Sequence, residues 1–316
     1  MYYLTGPQSK DGYFSIELRI PTVPAVTAST GSWSDVSVVI VTYNSAAVIE
    51  PCLRSVHLAK QVIVVDNAST DRTLAVVAET LPKARIIGND RNRGFGFAVN
   101  QGMAVVETRY GFCFSPDAVL AEDAMTQLLA AAAAYPEAGM VGPYLQRPDG
   151  KQELYVMGPS EITHTEMTEQ PDGDFCTWFV MGGFFLASMS AWRQIGGFDE
   201  RIFLYNEDAD LSLRTTAAGF SLVLAPMANV VHVGGQSSKV TWRTRWRKDW
   251  HQTWSRLYHE AKHGDIAVAN CEARRILLKH ATKTALYTVL LRPDRVRGNL
   301  AKAMAAFAFL AGKPAQ

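Results

Sequence analysis

Several features are scarce or missing in this sequence, and each absence removes a class of protein. The 316 residues include only four cysteines. Cys52, Cys113, Cys176 and Cys271 are far apart with no C-x-x-C pair, which excludes a zinc ribbon or a disulfide framework and predicts free thiols. No apolar run reaches the ~18 residues that a spanning helix needs. The opening MYYLTGPQSKDGYF lacks a cationic start followed by an apolar stretch, so no secretory leader is predicted. The expectation is a cytoplasmic protein that meets a membrane, where it does, from one side. No G-x-G-x-x-G follows the first apolar run, which argues against a dehydrogenase. No internal repeat is present.

Net charge is scarce as well: 31 Lys plus Arg against 30 Asp plus Glu leave +1, which gives no sign of a nucleic-acid partner. The total conceals a split. Residues 1–238 hold 15 basic and 25 acidic groups, net −10, whereas residues 239–316 hold 16 basic and 5 acidic, net +11. A basic tail of this kind suits an anionic surface. Hydrophobic residues at 48% are enough for a globular core.

Three regions follow from the patterning. Residues 1–34 form an N-terminal extension: alternation from Tyr13 to Ile20 predicts a hairpin with Tyr2 to Thr5, and 21–34 read as a linker. Residues 35–238 read as an α/β domain. VSVVIV (36–41) and QVIVVD (61–66) are β-branched runs of the kind found in parallel strands covered on both faces. Helical spacing separates them at 46–58 and recurs at 70–81 and 97–107, with strands at 84–89 and 110–115. This alternation predicts a mixed, mostly parallel, Rossmann-like sheet that binds ligand beyond the carboxyl ends of its strands. The alanine-rich run from Ala118 to Pro136 is expected to be helical throughout, a further helix opens at Asn206 and closes before Gly219, and 222–226 and 229–233 are two short strands. Residues 239–316 form a basic helical region.

The residues after the strands are the chemical candidates. Asp66, in DNASTD, can accept a hydrogen bond from the imide of a pyrimidine base or cap the next helix, and Thr42 and Tyr43 can contact the same base and ribose or form a plain loop. Asp117, in SPDA, suits a divalent cation that takes one or two carboxylates plus phosphate oxygens, or it caps the following helix. Glu207 and Asp208 open a helix whose dipole favours the ionised form, which fits Asp208 as a general base. Asp210 and Arg214 are spaced for a helix-surface pair. His232 gains meaning only beside Asp117.

Taken in order, TYN (42–44), VDNASTD (65–71), NRGFGFAVNQG (92–102), SPDA (115–118), GGFDERIFLYNEDADLSLR (196–214) and HVGGQS (232–237) resemble the inverting family 2 glycosyltransferases of GT-A fold, within them the bacterial rhamnosyltransferase-like branch. The resemblance implies a nucleoside-diphosphate sugar donor, dTDP-rhamnose or a UDP-sugar, and a cell-surface glycan or lipid-linked acceptor. It places Thr42, Tyr43, Asp66, Asn92, Arg93 and Ser115 at the nucleotide and Asp117 with His232 at Mg²⁺ or Mn²⁺. Asp208 becomes the base with Glu207 beside it, and Gly182 and Gly183 lie on the acceptor side. Where many relatives have Asp-x-Asp, this chain has Ser115-Pro116-Asp117, so Ser115 offers at most a hydroxyl. Two other classes remain open: a silent carbohydrate-binding scaffold, and a sugar nucleotidyltransferase, whose glycine-rich basic loop VTYNSAAVIE does not supply.

In the tail, Trp242, Trp246, Trp250 and Trp254 recur every four residues along one helix face. That stripe suits a membrane interface, or the packing of a helix onto the catalytic domain. AMAAFAFLAG (303–312) suits a surface anchor or a homodimer contact.

Overall fold

The computed structural model describes residues 31–149, 152–157, 162–167, 171–232 and 241–315. The expected N-terminal hairpin and the glycine loop after His232 lie outside them.

Strands β1 (Val36–Thr42), β2 (Gln61–Asp66), β3 (Arg85–Gly88) and β4 (Tyr110–Phe114) form a parallel half-sheet in the order β3-β2-β1-β4. The connecting helices are α1 (Ile49–Ser55), α2 (Thr73–Thr80) and α3 (Phe95–Met103). The chain leaves β1 toward β2 on one side and returns to β4 on the other, so the sheet order reverses at β1. Such a reversal opens a crevice beyond the strand ends. The sheet continues through β10 (Phe184–Ser188), antiparallel to both β4 and β6 (Ala138–Gln146), and then β11 (Ser221–His232), parallel to β6. Peripheral strands β7 (Gln152–Met157), β8 (Ile162–Met167) and β9 (Phe175–Thr177) pair antiparallel at its margin.

Alternate residues of the buried strands face opposite ways, which gives two cores. Val38, Ile40, Phe112 and Phe114 pack with Ile49 and Leu53 of α1 and with Met125 and Leu128 of α4 (Ala124–Ala134). Val39, Ile63 and Phe185 pack with Val99 and Met103 of α3, Trp192 of α5 (Met189–Ile195) and Leu211 of α6 (Glu207–Ala217). The GT-A-type α/β architecture is thus borne out.

Two local readings are corrected. Residues 118–120 are not the start of the alanine-rich helix: they form β5 (Ala118–Leu120), paired antiparallel with Val230 to His232, and the helix starts only at Ala124. The two strands expected over 222–233 are one strand, β11, whose register slips between Ala225 and Asn229, where Pro226 has no N–H for the ladder. Both corrections matter for the site, because β5 clamps the end of β11 beside Asp117.

The basic region folds as α7 (Trp242–His263), α8 (Ile266–Val289) and α9 (Pro293–Leu310). Helix α7 docks on the α/β body. Trp254 is buried with Phe203, Ala305 and Ala308, stacks between Trp250 and Tyr258, and donates Nε1–H to the Lys313 carbonyl at 3.1 Å. The tryptophan stripe therefore serves packing at its C-terminal half, whereas Trp242 stays exposed. AMAAFAFLAG is split: Ala303, Ala305, Ala306 and Ala308 are buried, whereas Met304 and Phe307 are exposed.

Candidate active site

The parallel register sets Thr42 beside Asp66 at the ends of β1 and β2. Asp66 is buried and accepts Thr42 Oγ1–H at 2.9 Å, Ser69 Oγ–H at 2.5 Å and Ser69 N–H at 2.9 Å. It closes its own turn rather than capping α2, where Asp71 takes the Thr73 N–H at 3.0 Å. Asn44, at φ 55°, ties the two loops together by donating N–H to Ser69 Oγ and accepting Thr70 N–H, each at 2.8 Å. Tyr43 stands at this rim.

Asn67, directly after Asp66 at the end of β2, organises the next loop. Buried, it donates to the Gly94 carbonyl at 3.0 Å and accepts from Asn89 at 2.9 Å. Asn92 accepts Gly94 N–H at 3.0 Å, and the Arg93 guanidinium lies 4.0 Å over the Phe97 ring with Nε buried and unpartnered. Gly94 has φ 93°, and a Cβ there would stand 2.6 Å from the Phe203 carbonyl oxygen, so only glycine lets this loop close on Phe203.

Beyond β4, Ser115 donates to Asp117 Oδ1 at 2.6 Å, and His232 Nε2 from β11 lies 3.5 Å from the same oxygen. The helix-capping alternative for Asp117 falls, because the residues after it are a strand. Burial opposes ionisation of Asp117, but the hydrogen bonds from His232 and Ser115 outweigh it and hold the carboxyl below its usual range. Among the described residues no cluster of three His, Cys, Asp or Glu side chains forms a closed metal cage. An ionised, 5% exposed carboxylate facing one imidazole fits a hard cation that completes its shell with water and phosphate oxygens.

The antiparallel pairing of β10 with β4 carries Gly182 and Gly183 to the same rim. Gly183 packs near Ser115, where a Cβ would lie 3.5 Å from the Ser115 Cβ, while Gly182 faces Asp208, where a Cβ would lie 3.1 Å from the Asp208 Cβ. One dipeptide thus separates Asp208 from the Ser115–Asp117 group. The space beside Gly182 is taken by Asp208 itself.

Glu207 and Asp208 open α6 after two residues in left-handed conformation, Tyr205 at φ 67° and Asn206 at φ 62°. Such backbone costs of order 1–3 kcal/mol per residue and is found where a site fixes it. Asp208 accepts N–H groups from Ala209 at 3.0 Å and Gly182 at 3.4 Å. The helix-dipole expectation needs correction: burial outweighs it and raises both carboxyls, Glu207 to about 8 through burial and the charge of Asp208. Glu207 Oε2 is buried without a partner. Of the two, Asp208 ionises more readily, because it accepts two backbone N–H groups while Glu207 Oε2 accepts none.

One neighbour was not legible in the sequence, and one pair was read there as a surface pair. Arg247 of α7 reaches over the body, its guanidinium 5.9 Å from the Tyr43 ring and 5.5 Å from the Phe203 ring. The Asp210–Arg214 pair exists, with Nε to Oδ2 at 2.8 Å, but Asp210 is fully buried and also binds Lys262 and His263 of α7. It is a docking centre rather than a surface pair. Asp199 reinforces it by accepting from Lys262 and Tyr258, both at 2.8 Å.

Residues 37–196 match the family described as Glycosyl transferase family 2. The N-acetylglucosaminyl-diphospho-decaprenol L-rhamnosyltransferase of Mycobacterium tuberculosis is 31% identical, over 62% of this chain and 75% of that protein. The fold resembles that of a mannosyltransferase from Pyrobaculum calidifontis solved with GDP-Man and Mn²⁺ (TM-score 0.55, 18% identity, 92% of this chain and 90% of that one). It also resembles residues 1–349 of S. aureus TarS (TM-score 0.51, 14% identity, 88% and 92%). On the family match and the rhamnosyltransferase relative, this chain is a glycosyltransferase and belongs to glycosyl transferase family 2.

Proposed function

We propose that this enzyme moves a sugar, with inversion, from a nucleoside-diphosphate donor of the dTDP-rhamnose or UDP-sugar kind to a hydroxyl of a lipid-linked glycan. The supporting observation is the Gly182–Gly183 dipeptide, which sets a buried carboxylate pair on one side and Asp117 with His232 on the other. The name of the mycobacterial relative supports rhamnose as the sugar and a polyprenyl-diphosphate N-acetylglucosamine as the acceptor.

Thr42, Tyr43 and Asp66 would hold the base and ribose; Asn92, Arg93 and Ser115 would face the diphosphate, joined by Arg247 from α7. Asp117 and His232 would hold Mg²⁺ or Mn²⁺, whose chemistry is to neutralise the charge that builds on the departing diphosphate. Asp208 takes the proton of the acceptor hydroxyl. The acceptor oxygen bonds to the anomeric carbon as the bond from that carbon to the diphosphate oxygen breaks, and the nucleoside diphosphate leaves with the bonding pair. Glu207, whose carboxyl is raised by burial and by the charge of Asp208, stands next to the base in sequence.

The test is turnover of dTDP-rhamnose against polyprenyl-diphosphate N-acetylglucosamine, with and without Mn²⁺, reading product configuration by NMR. An inverted glycoside supports the reading. Retention of configuration, or no transfer from any of the dTDP, UDP and GDP sugars, contradicts it.

A further inference from the structure

The outer part of the α8–α9 hairpin contributes no fully buried side chain. No residue from Arg274 to Leu300 is buried, although α8 alone, at 24 residues, is about 36 Å long. Its apolar side chains nevertheless face water: Leu286 is 53% exposed, Val289 79%, Leu290 54% and Leu291 85%. Leu291 closes the turn at φ 51°, where glycine or asparagine would cost less, so the turn does not account for an apolar side chain there.

Cations surround this tip. Between Leu277 and Val296, Lys279, Lys283, Arg292 and Arg295 stand against one acid, Asp294. Lys279, Lys283 and Arg292 flank the apolar residues on the exposed surface.

The tip also has a defined direction. Arg297 lies 5.0 Å over the Trp242 ring, Lys302 reaches Asp249 at 3.4 Å, and the Lys313 carbonyl meets Trp254. Helix α9 therefore runs parallel to α7, and the tip lies at the Trp242 end of α7, the end from which Arg247 extends to Tyr43. Exposed Trp242 is on the same side.

We propose that the α8–α9 tip, Leu286 to Arg292, docks into an anionic phospholipid surface. Its leucines and valine enter the acyl boundary, the flanking cations meet lipid phosphates, and the mouth of the active site is held facing the membrane. Apolar insertion supplies depth and the cations supply preference for anionic lipid. This rests on the lipid-linked acceptor proposed above, because a membrane-embedded polyprenyl diphosphate can be reached only from such a position.

Full-length protein is sedimented with phosphatidylcholine vesicles with and without phosphatidylglycerol. The expected result is binding to the phosphatidylglycerol vesicles that falls at least tenfold in V289S/L290S/L291S, and a K283S/R292S variant that loses its preference for phosphatidylglycerol. Both variants should keep the wild-type melting temperature, since nothing buried changes. Three results overturn the proposal: no vesicle binding by the wild type, equal binding by the triple variant, or a wild-type dimer in sedimentation velocity that the triple variant dissolves, which would make a second copy the occupant. Transfer to a detergent-dispersed acceptor separates the two readings. A triple variant that transfers normally in detergent but not on vesicles supports both, whereas a wild type that binds vesicles yet transfers to no acceptor sinks only the functional reading.

Discussion

The α/β body and the outer helical hairpin carry charge of opposite sign and use it in opposite ways. In the body the important acids are sunk: Asp66, Asp117, Glu207 and Asp210 are at most 7% exposed. Asp66, Asp117 and Asp210 have charged or hydroxyl partners, whereas Glu207 leaves Oε2 without one and its carboxyl is raised. In the hairpin the cations stand in water around an apolar tip. Burial makes a charge specific to one partner at a fixed distance, whereas exposure leaves it free for a partner that arrives from outside. Helix α7 is the seam, with Lys262 and His263 engaged by Asp210 and Arg247 extended toward Tyr43.

The comparison breaks most forcefully at Asp210. Asp210→Ala leaves Lys262, Arg214 and His263 without their shared carboxylate, and loss of one partner from a buried ionic group costs about 3–5 kcal/mol. Urea unfolding should show a loss of that size, and a loss below about 1 kcal/mol would mean that apolar contacts alone dock α7. Arg247→Ala should come next. If the seam supplies a diphosphate contact, a charge-assisted hydrogen bond of about 1.5–3 kcal/mol disappears, and nucleoside-diphosphate affinity falls roughly 10- to 100-fold. Unchanged affinity by calorimetry would confine α7 to packing.

An effect confined to high pH concerns Glu207. Its carboxyl rises from an ordinary 4.5 to about 8 in the fold, so folding favours the protonated form. The stability this contributes is full below about pH 4.5 and is lost as pH rises through about 8. Glu207→Gln stays neutral, so it should melt like the wild type near pH 5 and higher than it near pH 9. Parallel melting curves at both pH values would show that Glu207 is ionised in the fold.

How far the sequence could reveal this depends on distance along the chain. Strands β1, β2 and β4 were legible because buried parallel strands demand unbroken apolar runs. Strand β5 was not: three residues carry no periodicity, and their state is decided by pairing with Val230 to His232, over a hundred residues away. Asp66, Asp117, Asp208 and His232 could be singled out through the order of their motifs, although the proximity of His232 to Asp117 needed the clamp that β5 supplies. Asn67 had a signal, sitting next to Asp66 in the same turn. Arg247 had none, since its tie to Tyr43 spans two hundred residues and its neighbours read as any basic helix. The hairpin tip escaped for a different reason: a Val-Leu-Leu run in a helical pattern looks like core until the structure leaves it in water.

The central claim is that Asp208 is the base and does not hold the donor. Asp208→Asn keeps the shape and the backbone hydrogen bonding but cannot take a proton. The variant should transfer sugar at least ~10²-fold more slowly while nucleotide affinity, measured by calorimetry on the same sample, stays at the wild-type value. Full transfer activity, or loss of nucleotide binding together with activity, would contradict the account.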